Sequence, residues 1–585
     1  MKRFTSREKM HLSSYEIDDA VLTATQGESV YIEQALNHWW LMVLWWGIVV
    51  TISVLGMRVF YLTVVKGDFY SQAAVGNSIK EIPIKAPRGR IFDRFGTQLT
   101  HNIPTLEVVI SPRTLPEDRD TARNVILRSA ALLQVDPTEA LSVWEKEALP
   151  GISAIPLKEN ITQEESLLLL GKENELPGIV VEKASKRFYV DSAIFAHVIG
   201  YEGKIRKDEF LTKDDYLFTD RIGKDGIEKT YEQYLRGNHG ARYAVVDSFG
   251  TVISDVGKKD AKQGKDIFLN IDAGLQKKIF DSLSNVLERA HTRTAAAIVL
   301  DPRDGSVRAL VSLPSFDNNI FAEKTSEEDY QRLISDDANP LFDRAISGEY
   351  APGSTIKPFV AVAALREGII TPEYQIESRG AITVGSSTFH DWRVNGFADV
   401  RRAIAVSSDV YFYTVGGWYG NIAGLGMDRM KRYESLFGFG DLTGIDLPGE
   451  KAGFIPDEKW KEEVIGERWY IGNSYHAAIG QGFVSVTPLQ LVAAVSAIAN
   501  GGTLWQPHIV SDVTNGDQTI LRNEPHVLRE GFIAKDILQI VKEGMRQTVT
   551  DGTATSLQSI TVPVAGKTGT AQFGSEGRTH SWFVS

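Results

Sequence analysis

Cysteine does not occur anywhere in the 585 residues. Disulfide bonds and thiolate metal sites are therefore excluded, whereas the redox compartment stays open, because a cysteine-free chain fits a reducing or an oxidising environment. The sequence also lacks a long block of lysine and arginine, and its formal net charge is -12. This charge pattern argues against nucleic acid as a partner.

Internal repeats and low-complexity tracts are absent as well, and the composition is that of a folded protein. Apolar residues make up 43% of the chain, which is enough to pack hydrophobic cores. A length of 585 residues exceeds what one core usually organises, so two or more domains are expected.

One apolar run near the N-terminus is long enough to cross a membrane. The run WWLMVLWWGIVVTISVLGM, residues 39–57, carries no charge, and its length is what a helix needs to span about 30 Å of hydrocarbon. A cleaved signal peptide is the alternative, but the run is too long, starts too late and is followed by Arg58 and bulky residues. We predict a flexible tail over residues 1–38 and a transmembrane anchor over residues 39–62. The flanking charges do not decide the orientation.

Residues 63–265 follow the anchor and have a mixed pattern. Short β-like runs such as 106–110 alternate with polar helical stretches such as 118–134, which is typical of an α+β region. We call residues 63–265 the pedestal.

The pattern sharpens at Asp266, where a second domain is predicted to begin. DIFLNID is followed by a helical segment over 275–289, and the runs 295–301 and 307–313 flank the turn PRDG. Two apolar runs joined by such a turn indicate a β-hairpin.

Further secondary structure is predicted within that region. Apolar residues at helical spacing indicate helices over 355–366, 399–415 and 488–500. TVPVAGKTGTAQF and the terminal HSWFVS are strand-like, with a glycine-marked bend between them. The fold class is therefore α+β.

The stretch GSTIKPF, residues 353–359, places a hydroxyl and an amine three residues apart. A serine hydroxyl is a weak nucleophile, so it needs an adjacent base in a fixed geometry. If Ser354 opens the predicted helix, the Lys357 amine lies on the same face, and the helix N-terminus offers N–H donors to an oxyanion. Lys357 must be neutral to accept a proton, which requires burial or a nearby cation, such as a second lysine, worth roughly 4 kcal/mol.

Ser-x-x-Lys is a short motif, and it occurs again at Ser6 and Lys9 in the tail. What strengthens it is the order of its neighbours. Ser407-Ser408-Asp409 follows about 50 residues downstream, and the only Lys-Thr-Gly of the chain, 567–569, follows about 160 residues later. Taken singly, Ser407 fits a helix cap and Lys-Thr-Gly fits a plain turn. The ordered triplet, however, is the set associated with penicillin-recognising acyltransferases.

Beyond the anchor the chain resembles the class B penicillin-binding proteins. The pedestal segments that resemble the family are APRGRIFDRFGTQLT (86–100), FAHVIGYEGKI (195–205) and GKDGIEKTYEQYLRG (223–237). Residues 266–585 resemble the family's catalytic domain, and we call them the transpeptidase region. The segments there are LDPRDGSVRALVSLPSFD (300–317), RAISGEYAPGSTIKPF (344–359), GIDLPGE (444–450) and IGQGFVSVTPLQL (479–491). Asp409 stands where septal relatives usually have Asn, so the chain is most similar to the elongation-type group, penicillin-binding protein 2.

The resemblance assigns roles to the first two motifs. It implies that Ser354 is the acylated nucleophile and that Lys357 is the base that takes its proton. It also implies that Ser407 relays a proton to the leaving amine, and that Asp409 orients Lys357 and the substrate amide.

The third motif is implied to bind the substrate. Lys567 and Thr568 hold the substrate carboxylate, and Gly569 lets the strand edge approach the substrate closely. The backbone N–H groups of Ser354 and Thr570 form the oxyanion hole.

The resemblance also implies a substrate, a location and a partner. The substrate is the D-Ala-D-Ala end of a peptidoglycan stem peptide, which an amine of a neighbouring strand converts into a cross-link, and β-lactams inhibit the enzyme. This chemistry lies outside the bacterial cytoplasmic membrane, so residues 1–38 are expected to be cytoplasmic and the transpeptidase region periplasmic. The pedestal lacks a comparable catalytic set, and with the anchor it is expected to bind a SEDS-type glycosyltransferase.

Cofactors are not expected. Some members of the elongation group bind zinc through Asp, His and Cys ligands, and His390-Asp391 falls in the comparable stretch, FHDWRVNG. Without a cysteine to complete the set, we predict no metal site.

Three other functions remain open. A septal transpeptidase of the same class would share every motif except for the Asn that usually replaces Asp409. A penicillin-hydrolysing or penicillin-sensing relative would share the serine chemistry, although the long N-terminal region argues against it. A non-enzymatic scaffold is disfavoured by three intact motifs.

The resemblance finally predicts how the sheet is completed. In the family an antiparallel sheet flanked by helices is built from the hairpin at 295–313 and from C-terminal strands, here at 567–569 and 580–585, with one more strand and a closing helix after them. We therefore expect the chain to be C-terminally incomplete at Ser585, by roughly 30 to 60 residues.

Overall fold

The computed structural model describes residues 38–67, 79–147, 152–213, 215–246, 252–322, 327–574 and 577–585. The predicted tail lies outside these ranges, apart from His38. The chain divides into two compact units: one comprises residues 1–82 and 242–257, and the other comprises residues 83–241 and 258–585.

The first unit contains the predicted anchor. An α-helix spans His38–Phe60 and continues as a π-helical turn over Tyr61–Val65. Residues Trp39–Val65 have a mean hydropathy of 2.1 and are not buried by other parts of the protein. Within the described ranges, this is the one helix long and apolar enough to cross a membrane. A three-stranded sheet has the order Ile79–Ile84, Gly240–Val246, Val252–Lys259.

The pedestal part of the second unit is built on a three-stranded antiparallel sheet. Its central strand, Thr100–Ile110, pairs with Ile155–Ile161 on one side and Ile179–Tyr189 on the other. The helix Arg119–Leu132 is capped by the Asp118 carboxylate and packs its apolar face on this sheet. The predicted strand at 106–110 and helix at 118–134 are both confirmed.

The remaining pedestal elements are short. The helices are Pro137–Glu147, Gln163–Leu170, Ser192–Ile199, Lys207–Phe210, Gly226–Thr230 and Glu232–Leu235, and the strands are Ile91–Phe92, Glu202–Lys204 and Arg221–Gly223.

The transpeptidase region is mainly helical, with strands paired around its core. The helices are Ala273–Arg289, Asn319–Ala322, Glu327–Ile334, Lys357–Arg366, Val400–Val406, Asp409–Gly416, Gly426–Leu436, Glu458–Trp460, Ile471–Ala478, Pro488–Asn500 and Lys535–Asp551. The strands are Asp266–Leu269, Ala295–Leu300, Val307–Leu313, Ile376–Ser378, Ala381–Val384, Ser387–His390, Gly396–Ala398, Thr503–Trp505, Val510–Asn515, Gln518–Arg522, Val527–Glu530, Lys567–Phe573 and Arg578–Val584.

Two antiparallel hairpins confirm the predicted strands. Ala295–Leu300 pairs with Val307–Leu313, and Lys567–Phe573 pairs with Arg578–Val584. In the described part of the chain each hairpin forms its own two-stranded sheet.

The helix predicted over 355–366 is present, with a different first turn. A 3-10 turn covers Gly353–Ile356 and leads directly into the α-helix Lys357–Arg366. The predicted helix at 488–500 is confirmed without change as Pro488–Asn500, where Thr487 and Gln490 form a capping box. Both segments combine apolar residues at helical spacing with a proline in the first turn, which marks where the helix begins.

The pedestal and the transpeptidase region share one sheet and one core. Ile91–Phe92 of the pedestal pairs in parallel with Asp266–Leu269, which pairs in turn with Val510–Asn515. The sheet is completed by Gln518–Arg522. Its buried side chains belong to one hydrophobic cluster with residues from both parts, including Tyr189 and Leu310.

Candidate active site

The turn that carries Ser354 is held by close backbone contacts. Gly353 has a positive φ of 54° and donates its N–H to the Gly480 carbonyl at 2.9 Å. A Cβ at Gly353 would come within 2.7 Å of the Thr570 carbonyl oxygen, so glycine is required there. Because a 3-10 helix has about three residues per turn, Ser354 and Lys357 lie on the same side of it.

Lys357 is fully buried at the start of the helix that follows. Its ammonium group donates to the Asp409 carboxylate at 2.6 Å and to the Ser407 carbonyl at 2.8 Å. The Ser407 hydroxyl lies 3.3 Å from the same nitrogen. The first and second motifs are therefore brought together around one lysine side chain.

The second motif sits at a break between two helices, and here the predicted single helix over 399–415 is wrong. Val400–Val406 ends at Ser407, which adopts the left-handed conformation with φ 57°. Ser408 then caps the next helix, Asp409–Gly416, by accepting from the Tyr411 N–H. Apolar residues lie on both sides of the break, but the Ser408 hydroxyl takes the Tyr411 N–H and starts a new helix. The cap is therefore Ser408, which leaves the Ser407 hydroxyl available to the site.

Lys567 reaches the same point from the C-terminal hairpin. It is fully buried, and its ammonium group donates to the Ser407 hydroxyl at 2.8 Å and to the Thr568 carbonyl at 2.7 Å. Burial lowers the pKa of Lys567 well below its usual range, and the charge of Lys357 lowers it further, while Asp409 opposes both. The second lysine predicted to accompany Lys357 is thus present, with Ser407 between the two amines.

Lys357 and Lys567 are both buried beside one carboxylate, Asp409. Two ammonium groups that share one hydroxyl and one carboxylate, away from water, repel each other. Burial and this repulsion lower the pKa of Lys567, and the Ser407 hydroxyl lies within 3.3 Å of both nitrogens.

The other residues of the third motif lie along the same strand. The Thr568 hydroxyl is 2.6 Å from the Thr553 hydroxyl. A Cβ at Gly569 would approach Thr355 Cγ2 to 2.8 Å and the Pro352 carbonyl to 3.0 Å. Gly569 therefore permits the strand to pack on the turn that carries Ser354. Thr570 is exposed, and its backbone lies against Gly353.

Two residues near the motifs were missed by the sequence analysis. Thr553 was assigned no role, yet its N–H donates to the Ala405 carbonyl at 3.1 Å and its hydroxyl contacts Thr568. Asp391 was considered only as a possible metal ligand, but its carboxylate accepts from the Ser408 hydroxyl at 2.7 Å. Neither residue lies in a motif, so only the tertiary fold brings them to the site.

A serine on a helix-opening turn, two buried lysines and a bridging serine define a class: the penicillin-recognising serine acyltransferases. Two family models match the chain. Residues 295–585 match the penicillin binding protein transpeptidase domain, and residues 83–269 match the penicillin-binding protein dimerisation domain.

Similarity to characterised proteins extends over most of the chain. The peptidoglycan D,D-transpeptidase MrdA of Haemophilus influenzae is 35% identical over 548 residues, which cover 90% of this chain and 80% of that protein. The penicillin-binding protein PBP2 of Helicobacter pylori, solved in complex with MreC, superposes with a TM-score of 0.75 at 28% identity and covers 86% of this chain and 92% of its own. A chain of a peptidoglycan synthase complex superposes with a TM-score of 0.64 at 28% identity and covers 92% of this chain and 89% of its own.

The chain belongs to the class B penicillin-binding proteins, in the group formed by PBP2 and MrdA.

Proposed function

We propose that the chain is a peptidoglycan D,D-transpeptidase of cell-wall elongation and that Ser354 forms its acyl-enzyme. The observation that supports this most directly is the convergence of Lys357 and Lys567 on the Ser407 hydroxyl, at 3.3 and 2.8 Å. An acyl transfer needs a base, a proton relay and a carboxylate-binding cation in one place. These three side chains supply them.

Substrate binding prepares the base in this proposal. The carboxylate of the terminal D-Ala binds beside Lys567 and Thr568, and its negative charge favours the protonated form of Lys567. A proton then moves from Lys357 through the Ser407 hydroxyl to Lys567. Lys357 is left neutral only when the substrate is in place.

Acylation then proceeds in two steps. The Ser354 hydroxyl gives its proton to Lys357 and attacks the carbonyl carbon of the penultimate D-Ala, while the N–H groups of Ser354 and Thr570 stabilise the oxyanion. The bond to the terminal D-Ala breaks, and its nitrogen receives a proton from Ser407, which is replenished by Lys357. The proton lost by Ser354 thus leaves with the D-Ala amine.

Cross-linking reverses the proton movements. An amine of a neighbouring stem peptide attacks the ester carbonyl of the acyl-enzyme, and the bond to the Ser354 oxygen breaks. The amine proton returns to that oxygen through Ser407 and Lys357, so the enzyme is regenerated with an amide cross-link as product.

Mass spectrometry of a penicillin adduct tests the assignment. We expect one penicillin per chain, on the peptide that contains Ser354, and none on the Ser354→Ala variant. Ser6→Ala is the matched control, because Ser6 belongs to the other Ser-x-x-Lys of the chain, and it should label normally. Labelling of Ser354→Ala would contradict the proposal, and loss of the adduct within seconds would instead favour a penicillin hydrolase.

We further propose that residues 1–38 are cytoplasmic and that the transpeptidase region lies on the periplasmic side. The apolar helix of the first unit supports a single crossing, and the cross-linking reaction requires the outer side. Protease added to intact spheroplasts should cleave the transpeptidase region and leave an epitope at the N-terminus protected. The opposite pattern would contradict this orientation.

The anchor and the pedestal are proposed to bind a SEDS-type glycosyltransferase, and an MreC-type protein is proposed as a second partner. Support comes from the two structural relatives, of which one belongs to a peptidoglycan synthase complex and the other was solved with MreC. The full chain should co-purify with the glycosyltransferase, whereas an unrelated polytopic membrane protein should not co-purify. Replacing residues 39–62 by an unrelated membrane helix then separates the anchor's contribution from that of the pedestal.

A further inference from the structure

Asp391 lies outside the three motifs, but its carboxylate contacts the second motif. It follows the strand Ser387–His390, and its side chain is 8% exposed. The inference below rests on the proposed function, because it concerns how the residues of that reaction are held in place.

Five donors surround the Asp391 carboxylate. One oxygen, Oδ2, accepts from the Ser378 hydroxyl at 2.8 Å, the Ser408 hydroxyl at 2.7 Å and the Val410 N–H at 3.2 Å. The other, Oδ1, accepts from the Trp392 N–H at 2.9 Å and the Asp409 N–H at 3.1 Å. Three of the five donors belong to residues 408–410, so the carboxylate is bound mainly to the second motif.

These donors keep the carboxylate charged although it is buried. Burial by itself raises the pKa of Asp391, but the hydrogen bonds from Ser408, Asp409 and Ser378 outweigh it and lower the pKa below its usual range. The first N–H groups of the helix Asp409–Gly416 also point at the carboxylate, where the helix dipole favours negative charge. A charged acceptor makes stronger hydrogen bonds than a neutral one.

Asp391 holds the backbone of residues 408–410, which directly follows a strained residue, Ser407. Ser407 holds the left-handed conformation, which is costly for a residue with a side chain. Its carbonyl and the Asp409 carboxylate are the two groups closest to the Lys357 ammonium, at 2.8 and 2.6 Å. A small rotation of the Ser408 or Asp409 peptide would therefore move both contacts of Lys357 and the hydroxyl between the lysines.

We propose that Asp391 is a positioning residue of the transpeptidase reaction: through Ser408 and the backbone of Asp409, it sets Ser407 and Asp409 against Lys357 and Lys567. It does so by direct hydrogen bonds. No group of three or more His, Asp or Glu side chains in the described residues is placed to hold a metal ion, and both carboxylate oxygens of Asp391 already accept hydrogen bonds.

The test is Asp391→Asn in the full chain, with stopped-flow labelling by a fluorescent penicillin. Serine hydroxyls can rotate to accept from an amide, but backbone N–H groups cannot, so either orientation of the amide faces at least one N–H of the helix start with a donor. We expect the acylation rate constant at saturating penicillin to fall at least tenfold. The dissociation constant of the non-covalent complex should stay within twofold, because Asp391 touches neither Lys567 nor Thr568.

The control is Asp272→Ala, which removes the side chain that caps Ala273–Arg289 by accepting from the Leu275 N–H, and Asp272 lies outside the three motifs. It should lower the melting temperature and leave both constants unchanged. A purely structural role for Asp391 predicts the same result for Asp391→Asn, with fewer labelled molecules but a normal rate in those that label, and that result overturns the proposal.

Two further variants cover the case in which Asp391→Asn does not fold. Ser408→Ala removes the hydrogen bond between the Asp391 carboxylate and the second motif. Ser378→Ala removes a hydrogen bond to the same carboxylate from a residue outside the motifs. We expect Ser408→Ala to slow acylation more than Ser378→Ala, and equal rates would overturn the proposal.

The Ser354→Ala variant separates failure of this inference from failure of the proposed function. If Ser354→Ala still labels, the proposed function itself is wrong. If Ser354→Ala does not label while Asp391→Asn reacts at the normal rate, only this inference is wrong.

Discussion

Two sites in the second unit that bury several charged side chains balance those charges differently. In the pedestal, Arg88, Arg187, Glu202 and Glu228 are buried and Glu232 beside them is partly buried; we call these five residues the pedestal ion cluster. Glu228 accepts from Arg88 at 2.5 Å and from Arg187 at 2.8 Å. Arg88 also pairs with Glu232 at 2.5 Å. Each arginine of this cluster thus has a carboxylate partner, and Glu202 also pairs with Arg221 at 3.1 Å, which balances the third carboxylate.

The active site buries two lysines but supplies one carboxylate, Asp409. The imbalance appears in the pKa values. Burial raises the pKa of Glu228, but Arg187 and Arg88 outweigh burial, so the net shift is downward. At Lys567, burial and the charge of Lys357 both lower the pKa. Removing one partner of a compensated buried cluster destabilises a fold, whereas an uncompensated cluster shifts the pKa values of its own groups. The following predictions test this contrast, from the largest effect to the smallest.

The largest effect is expected for Lys357→Arg, which removes the movable proton from the active site. A guanidinium stays charged at any accessible pH, so acylation should slow by about 1000-fold, or about 4 kcal/mol of activation free energy. The rate is measured with fluorescent penicillin and compared with Lys9→Arg, the lysine of the other Ser-x-x-Lys. Near-normal acylation would show that Lys357 is a packing residue and not the base. The difference in charge balance between the two sites would then have no role in catalysis.

Glu228→Gln breaks the compensation in the pedestal. Two buried guanidinium groups lose their shared carboxylate, so the free energy of unfolding should fall by about 3 to 5 kcal/mol. Denaturant unfolding of the purified chain measures it. Glu328→Gln is the control, because Glu328 pairs with Arg332 on an exposed helix face, and it should change stability by less than about 1 kcal/mol. An equal, small loss in both variants would show that the pedestal ion cluster is not needed for stability.

His197 provides a third case in the pedestal: a titratable side chain that is buried without a partner of opposite charge in its hydrogen bond to the Pro340 carbonyl. Burial lowers its pKa to about 4, with help from Arg344 and against the hydrogen bond to the Pro340 carbonyl. In the unfolded chain the pKa is about 6.5, so between these values the unfolded state binds a proton that the folded state does not. Stability should therefore fall as the pH drops from 6.5 to 4, by about 3 kcal/mol.

The variant His197→Gln keeps an N–H for the Pro340 carbonyl but cannot titrate. Its unfolding midpoint should depend less on pH over the same range than that of the unchanged protein. The same pH dependence in both proteins would assign the acid sensitivity to other groups.

The smallest effect is expected for Thr553→Val at the edge of the active site. Valine keeps the shape of threonine but removes the hydroxyl that contacts Thr568 at 2.6 Å. The dissociation constant of the non-covalent penicillin complex should rise about fivefold, equivalent to about 1 kcal/mol, without a change in the acylation rate. Thr550→Val, on an exposed part of the preceding helix, should change neither value. A slower acylation step would place Thr553 in the proton relay instead.

Local patterns explain which parts of this architecture were predictable. The helix Lys357–Arg366 and the hairpin at 295–313 are encoded by spacing and turn residues within a few positions. The break at Ser407 was not predictable from spacing, because apolar residues lie on both sides of Ser407-Ser408-Asp409 and one hydroxyl decides where the second helix starts.

Long-range contacts account for what was missed. Lys567 and Ser407 are 160 residues apart in sequence, and their 2.8 Å contact depends on the completed fold. Arg88, Arg187 and Glu228 look like ordinary solvated charges in the sequence, and only the tertiary structure shows that they are buried. The motifs identified the residues that meet around Ser407, whereas Asp391 and Thr553 carried no local signal.

The sheet shared by the two parts of the second unit also affects how the protein can be made. Ile91–Phe92 finds its partner only when Asp266–Leu269 is available, and that strand pairs further with Val510–Asn515. Contacts between segments so distant in sequence form slowly, and segments that wait for a partner are exposed to aggregation. During synthesis the first of these strands must remain unpaired while about 175 more residues emerge. A chain delivered across a membrane from its N-terminal end would therefore benefit from a chaperone that shields this strand until its partners arrive.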